Sequence, residues 1–189
     1  MSPPRVCVFC GAGPGTRPEF AEAAQEFGEA LVAAGFGLVF GAGGVGIMGA
    51  VSDAVIKSGG DLVGVIPRSL MDREYGRTDI ADLRVVGTMH ERKALMHELS
   101  VGFAVLPGGL GTFEEFFEVL TWAQLGLHAK PIVVVDVGGY YAPLVELLDH
   151  ALESGFLTAA DRRLVQVVPS VTAAIEILRA APRGAATAG

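Results

Sequence analysis

The sequence predicts an α/β fold, one domain built as a doubly wound, mainly parallel sheet flanked by helices, and three observations carry that prediction. Apolar runs of strand length recur along the chain, and helix-period segments separate most of them. With 26 glycines and only 7% aromatic residues, the composition suits buried parallel strands joined by tight turns. A length of 189 residues supports one sizeable core and falls short of two.

Strands are expected at 5–10, 37–40, 62–66, 83–86, 102–106, 132–135 and 164–168. Between the first two, Pro18 opens a helix at the tolerated first-turn position and Gly35 closes it. Residues 67–82 break the alternation with a proline, many polar side chains and no clear period, so they read as a long functional loop bordering the site. The small-residue stretch 181–189 reads as a frayed tail, which leaves 1–180 as the domain. No internal repeat is present.

Charge and hydropathy then exclude several partners. A net charge of -7 argues against a nucleic-acid surface, which needs clustered Lys and Arg. No apolar run reaches the roughly 18 residues of a membrane span, and no signal-peptide core precedes the first strand, so a cytoplasmic protein without a membrane partner is expected. Cys7 and Cys10 form a C-x-x-C spacing, but strand alternation points them to opposite faces, which disfavours a redox or zinc pair. No His, Cys or Asp cluster has metal-ligand spacing.

Two glycine clusters follow expected strands and precede expected helices. The first contains Gly41, Gly43, Gly44, Gly46 and Gly49; the second runs Pro107, Gly108, Gly109, Leu110, Gly111, Thr112. Such placement directs backbone N–H groups and a positive helix end to the carboxyl edge of the sheet, where a nucleotide phosphate is the natural guest. Glycine also serves tight turns and close packing, so each cluster alone carries little weight and the pair carries more. Neither is a Walker loop, and Pro14 interrupts the dinucleotide fingerprint after the first strand.

Arg92 falls near the centre of the apolar stripe Met89, Leu95, Met96, Leu99 when 89–99 is projected as a helix. A buried guanidinium costs several kcal/mol unless compensated. Its partner is therefore an internal carboxylate, with Glu115 the candidate, or a bound anion held bidentately, the reading favoured here. His90 and His97 project onto the opposite, polar face and read as solvated. Thr112 and Glu115 have capping-box spacing, which competes evenly with a catalytic reading of Glu115 at the edge of the glycine turn. In that projection Phe113, Phe116, Phe117 and Leu120 form the buried face.

Met89-His90-x-Arg92-Lys93 followed by Pro107-Gly108-Gly109-x-Gly111-Thr112-x-x-Glu115 resembles the Lonely Guy family of cytokinin riboside 5'-monophosphate phosphoribohydrolases. The resemblance extends from Cys7 through the first glycine cluster to Tyr140 and Tyr141. It implies a Rossmann-like fold, a homodimer or higher homo-oligomer, and hydrolysis of a nucleoside 5'-monophosphate to free base and ribose 5-phosphate without a cofactor. It further implies Arg92 and Glu115 as the catalytic pair, Gly108, Gly109, Gly111 and Thr112 as the phosphate cradle, and Glu74, Lys93 and Thr121 as substrate contacts. Gly43 and Gly44 join the phosphate-binding set from the first cluster. Ala42 and the pair Val101-Gly102 depart from the family pattern. Relatives also carry a lysine decarboxylase label, but nothing here singles out a Schiff-base lysine with a pyridine-nitrogen partner. The rival from another class is a non-catalytic nucleotide-binding or carrier protein using the same loops; a hydrolase of plain AMP is a second.

Overall fold

The computed structural model describes residues 2–71 and 76–181. Glu74 and the expected tail from 182 onward lie outside the described residues. Seven strands, β1 (Arg5–Phe9), β2 (Gly37–Phe40), β3 (Leu62–Pro67), β4 (Leu83–Val86), β5 (Gly102–Val105), β6 (Ile132–Val135) and β7 (Val165–Val168), form one sheet in the order β4-β3-β2-β1-β5-β6-β7. Every strand pairing is parallel. The helices are α1 (Pro18–Ala33), α2 (Gly46–Lys57), α3 (Met89–Glu98), α4 (Leu110–Gln124), α5 (Ala142–Glu153), α6 (Ala159–Arg162) and α7 (Val171–Ala180).

Strand alternation sorts the core into two layers. Val6 and Val8 of β1 face one side, where they meet Phe27 and Leu31 of α1, Val51 and Val55 of α2 and Ile175 of α7. Cys7 and Phe9 face the other, with Met96 of α3, Phe116 and Val119 of α4 and Leu148 of α5. Cys10 belongs to the first layer and Cys7 to the second, and both are free thiols. Gly35 ends α1 at φ +79, a conformation that favours glycine.

The first half of the chain adds strands outward from β1 on one side and the second half on the other, so strand order reverses between β1 and β5. Loops leaving the carboxyl ends of these two neighbours diverge to opposite layers and leave a crevice, the usual ligand position in open α/β sheets. The segment 67–82 contributes a 3₁₀ turn, Arg68–Leu70, and an isolated bridge from Gly76 to Gly43. Arg77 pairs with Asp79 at 2.7 Å and with Asp53, tying this loop to α2.

His97 departs from its expected place on a solvated face. Its ring packs against Phe103, Trp122 and His128, with centroids 5.5, 5.3 and 5.0 Å away, because α4 and residue 128 cover this side of α3. Lys130 Nζ donates to the His97 carbonyl at 2.6 Å, satisfying the C-terminal end of α3. Burial, aided by the charge of Lys130, pushes the His97 imidazole down to about 4. His90 is exposed, as its projection requires.

Candidate active site

A cleft of about 540 Å³ opens at the β1/β5 switch point. Residues 10–13 after β1 and 107–109 after β5 line it, joined by Phe20, Met48, Met89, Arg92, Glu115 and Tyr140. Backbone hydrogen bonds stitch its loops together: Gly11 N donates to Pro107 O at 3.0 Å, and Met48 N donates to Gly11 O at 3.0 Å. A Cβ at Gly108 would collide with Thr112 and lie 2.7 Å from Gly11 N, so this close approach requires glycine.

The loop after β6 braces the glycine turn. Tyr140 donates its hydroxyl to Gly108 O, and Tyr141 donates to Leu106 O at 2.7 Å. Tyr141 N in turn donates to Asp136 Oδ1 at 2.6 Å. Burial pushes the Tyr141 phenol well above its ordinary range, so it remains a donor at any physiological pH.

α4 begins at Leu110 behind an N-cap at Gly109, with no side-chain cap, and Phe113 N donates to Gly109 O at 3.0 Å. Thr112 therefore lies inside the helix, and of the two readings open for Glu115 the capping box with Thr112 does not form. This helix end offers N–H groups and positive dipole to an anion in the cleft. The buried face comprises Thr112, Glu115, Phe116 and Val119, while Phe117 is exposed. The projected face holds at Phe116, which is buried, and at Phe113 and Leu120, which pack on the same core; it fails at Phe117, and Glu115, at 9% exposure, joins the buried side.

Arg92 comes from α3, whose start is fixed by Thr88 Oγ1 accepting from Glu91 N at 3.1 Å. Arg92 is 3% exposed, with Nη2 3.9 Å from Glu115 Oε1 and donating to Gly41 O at 3.4 Å. The structure thus joins Arg92, Glu115, Gly108, Gly109, Gly111 and Thr112 around one cleft.

Other expected contacts sit elsewhere. Lys93 is absent from the lining and pairs with Glu114 and, at 2.9 Å, with Glu118. Thr121 opens onto a second, apolar hollow of about 230 Å³ with Phe117, Leu147 and Phe156. Gly43 and Gly44 lie behind the cleft, where Gly43 N approaches Met48 Sδ at 3.0 Å, so the first cluster supports the wall through Met48. Sequence reasoning missed the wall formed by Cys10, Gly11, Ala12 and Gly13, reading that stretch only as a broken dinucleotide fingerprint. It also gave Tyr140 no site role; neither omission has a local signal, since β1, β5 and β6 become neighbours only in the fold.

Fold and site define a doubly wound α/β protein with a glycine turn and a buried arginine–carboxylate pair around the cleft at its switch point. A family profile described as "Possible lysine decarboxylase" matches residues 48–178, and the chain belongs to that family. It is 44% identical over 166 residues to cytokinin riboside 5'-monophosphate phosphoribohydrolase LOG1 of Arabidopsis thaliana, covering 88% of this chain and 78% of the relative. It is 45% identical to the phosphoribohydrolase LOG of Oryza sativa subsp. japonica, over 88% of this chain and 69% of the relative. Among solved structures, the Moco carrier protein from Chlamydomonas reinhardtii matches with a TM-score of 0.70 at 22% identity, covering 92% of this chain and 94% of that one. That likeness is one of fold.

Proposed function

We propose that this protein hydrolyses the N-glycosidic bond of cytokinin riboside 5'-monophosphates, N6-substituted forms of AMP, to free base and ribose 5-phosphate. The observation that carries the reading is Arg92 beside Glu115 at the mouth of an uncapped glycine turn. It is supported by the names of relatives 44–45% identical over most of the chain. The turn and the start of α4 seat the 5'-phosphate, which orients the sugar at a distance from the reacting carbon. Arg92 balances anionic charge. Glu115 either stabilises the oxocarbenium-like sugar or takes the proton of the attacking water while the base departs, and both roles need its carboxylate ionised.

Incubation with AMP and N6-isopentenyl-AMP, followed by chromatography for free base, tests this. Wild type is expected to release base, and Glu115→Gln to lose at least about 10²-fold in turnover while still binding nucleotide. Full activity in the variant would refute the mechanism; nucleotide binding without turnover by wild type would select the carrier reading. Preference for plain AMP would remove the cytokinin assignment and keep the reaction class.

The same reading makes the protein a homodimer in the cytoplasm. Phe117, Leu147 and Phe156 are 37%, 55% and 84% exposed around the second hollow, an apolar face suited to a second copy. Light scattering should return at least twice the chain mass; a monomer at micromolar concentration overturns this element.

A further inference from the structure

Three carboxylates, Glu114, Glu115 and Glu118, crowd the second turn of α4 and the start of its third, next to the cleft proposed to admit an anionic nucleotide. Residues three and four apart on a helix are neighbours, and like charges there repel. Two cations from consecutive positions of α3 meet this cluster. Arg92 enters the cleft and approaches Glu115, whereas the Lys93 ammonium is held by Glu114 and, at 2.9 Å, by Glu118. The Lys93 side chain is only 11% exposed, and Lys93 does not line the cleft, although Glu114 does.

We infer that Lys93 serves the reaction through Glu114 and Glu118, as the counter-charge that lets an acidic stretch of α4 stand beside an anionic substrate, and not as a ligand of that substrate. The inference rests on the nucleotide reading above. Without this ammonium, two uncompensated carboxylates would flank Glu115. They would favour its protonated form and repel the phosphate. Glu115 meets Arg92 of α3 at 3.9 Å, has Glu118 one turn further along α4, acts electrostatically on Cys7 and Cys10 of the β1 segment, and shares the cleft with Glu114 and Tyr140, while Lys93 reaches it through Glu114 and Glu118. Burial first and Glu115 second push both thiols up, so they stay neutral and Lys93 is the adjustable charge.

Charge compensation separates this role from direct binding. Lys93→Met is expected to raise the KM for N6-isopentenyl-AMP about tenfold and to move the acidic limb of kcat/KM up by about 0.5 to 1 pH unit. Lys93→Met combined with Glu114→Gln and Glu118→Gln should restore both to near wild type, and Lys93→Arg should retain them. A triple variant as impaired as Lys93→Met would overturn the inference, because a lost phosphate ligand is not replaced by removing carboxylates. Carboxyl NMR titration of Glu115 gives a readout independent of turnover. Its midpoint should rise in Lys93→Met and return in the triple variant; a midpoint unmoved in Lys93→Met also overturns it. If Lys93→Met does not fold, Glu114→Gln/Glu118→Gln on native Lys93 decides the matter, since the Glu115 midpoint should then fall. Wild type that releases no base refutes the hydrolase reading, while the titration still tests Lys93.

Discussion

Arg92 can occupy a nearly dry position because Gly41 lacks a side chain. A Cβ there would collide with the Arg92 guanidinium and lie 3.4 Å from Met48 Cε. Gly41 thus does for Arg92 what its carbonyl also does, fixing where the charge rests. Gly41→Ala should displace the guanidinium from Glu115 and lower kcat/KM by roughly 10²-fold, because small misplacements of a catalytic group are costly. Its stability should fall by about 1 to 3 kcal/mol, the range for overpacking. Base-release kinetics with a urea melt check both, and an unchanged kcat/KM in a folded variant would detach Arg92's position from catalysis. The neighbouring Ala42, at φ +61, is the non-glycine residue at positive φ among those described, and its methyl is fully buried. The departure from the family pattern at Ala42 therefore falls where an L side chain is strained and glycine is favoured.

At the scale of elements, the glycine turn after β5 depends on the loop after β6, one strand further along the chain. Tyr141 satisfies the Leu106 carbonyl from inside the core, so Tyr141→Phe leaves a buried acceptor unpaired and should cost about 1 to 3 kcal/mol. The shift of the urea midpoint measures it; a shift under about 0.5 kcal/mol would show that the hydroxyl does not brace the turn. Such bracing also marks what was legible in the sequence. Strand ends and α1 were readable to within a residue or so, because apolar alternation, Pro18 and Gly35 act locally. Arg92 was readable as an inward charge, since helical projection needs only one element. The start of α4 was not: Thr112 and Glu115 match a capping box, yet the chain enters the helix earlier, at Gly109, where the β5 turn packs on Gly11. Lys93 was placed with the substrate by analogy, and its partners Glu114 and Glu118 lie on another helix.

For the molecule as a whole, folding imposes a pH dependence through His97. Its folded value, about 4, lies below the ordinary imidazole value of 6.5 because the ring is packed between α3, Phe103 and Trp122. The unfolded chain therefore binds the extra proton between these two values, and stability rises with pH across that window. The contribution is fully present above pH 6.5 and is lost progressively as the pH falls through about 4. Allowing for partial solvent exposure, the loss is on the order of 1 to 2 kcal/mol. Asp79 and Asp82, both lowered chiefly by arginine partners, lose their contributions only at more acidic pH, as they protonate. Urea midpoints between pH 7 and pH 4.5 should consequently decline in wild type and decline much less in His97→Gln, which cannot gain the charge. Parallel slopes in the two proteins would mean that the acid sensitivity arises elsewhere than at His97, with the neighbouring His128, also pushed down by burial, the next group to replace.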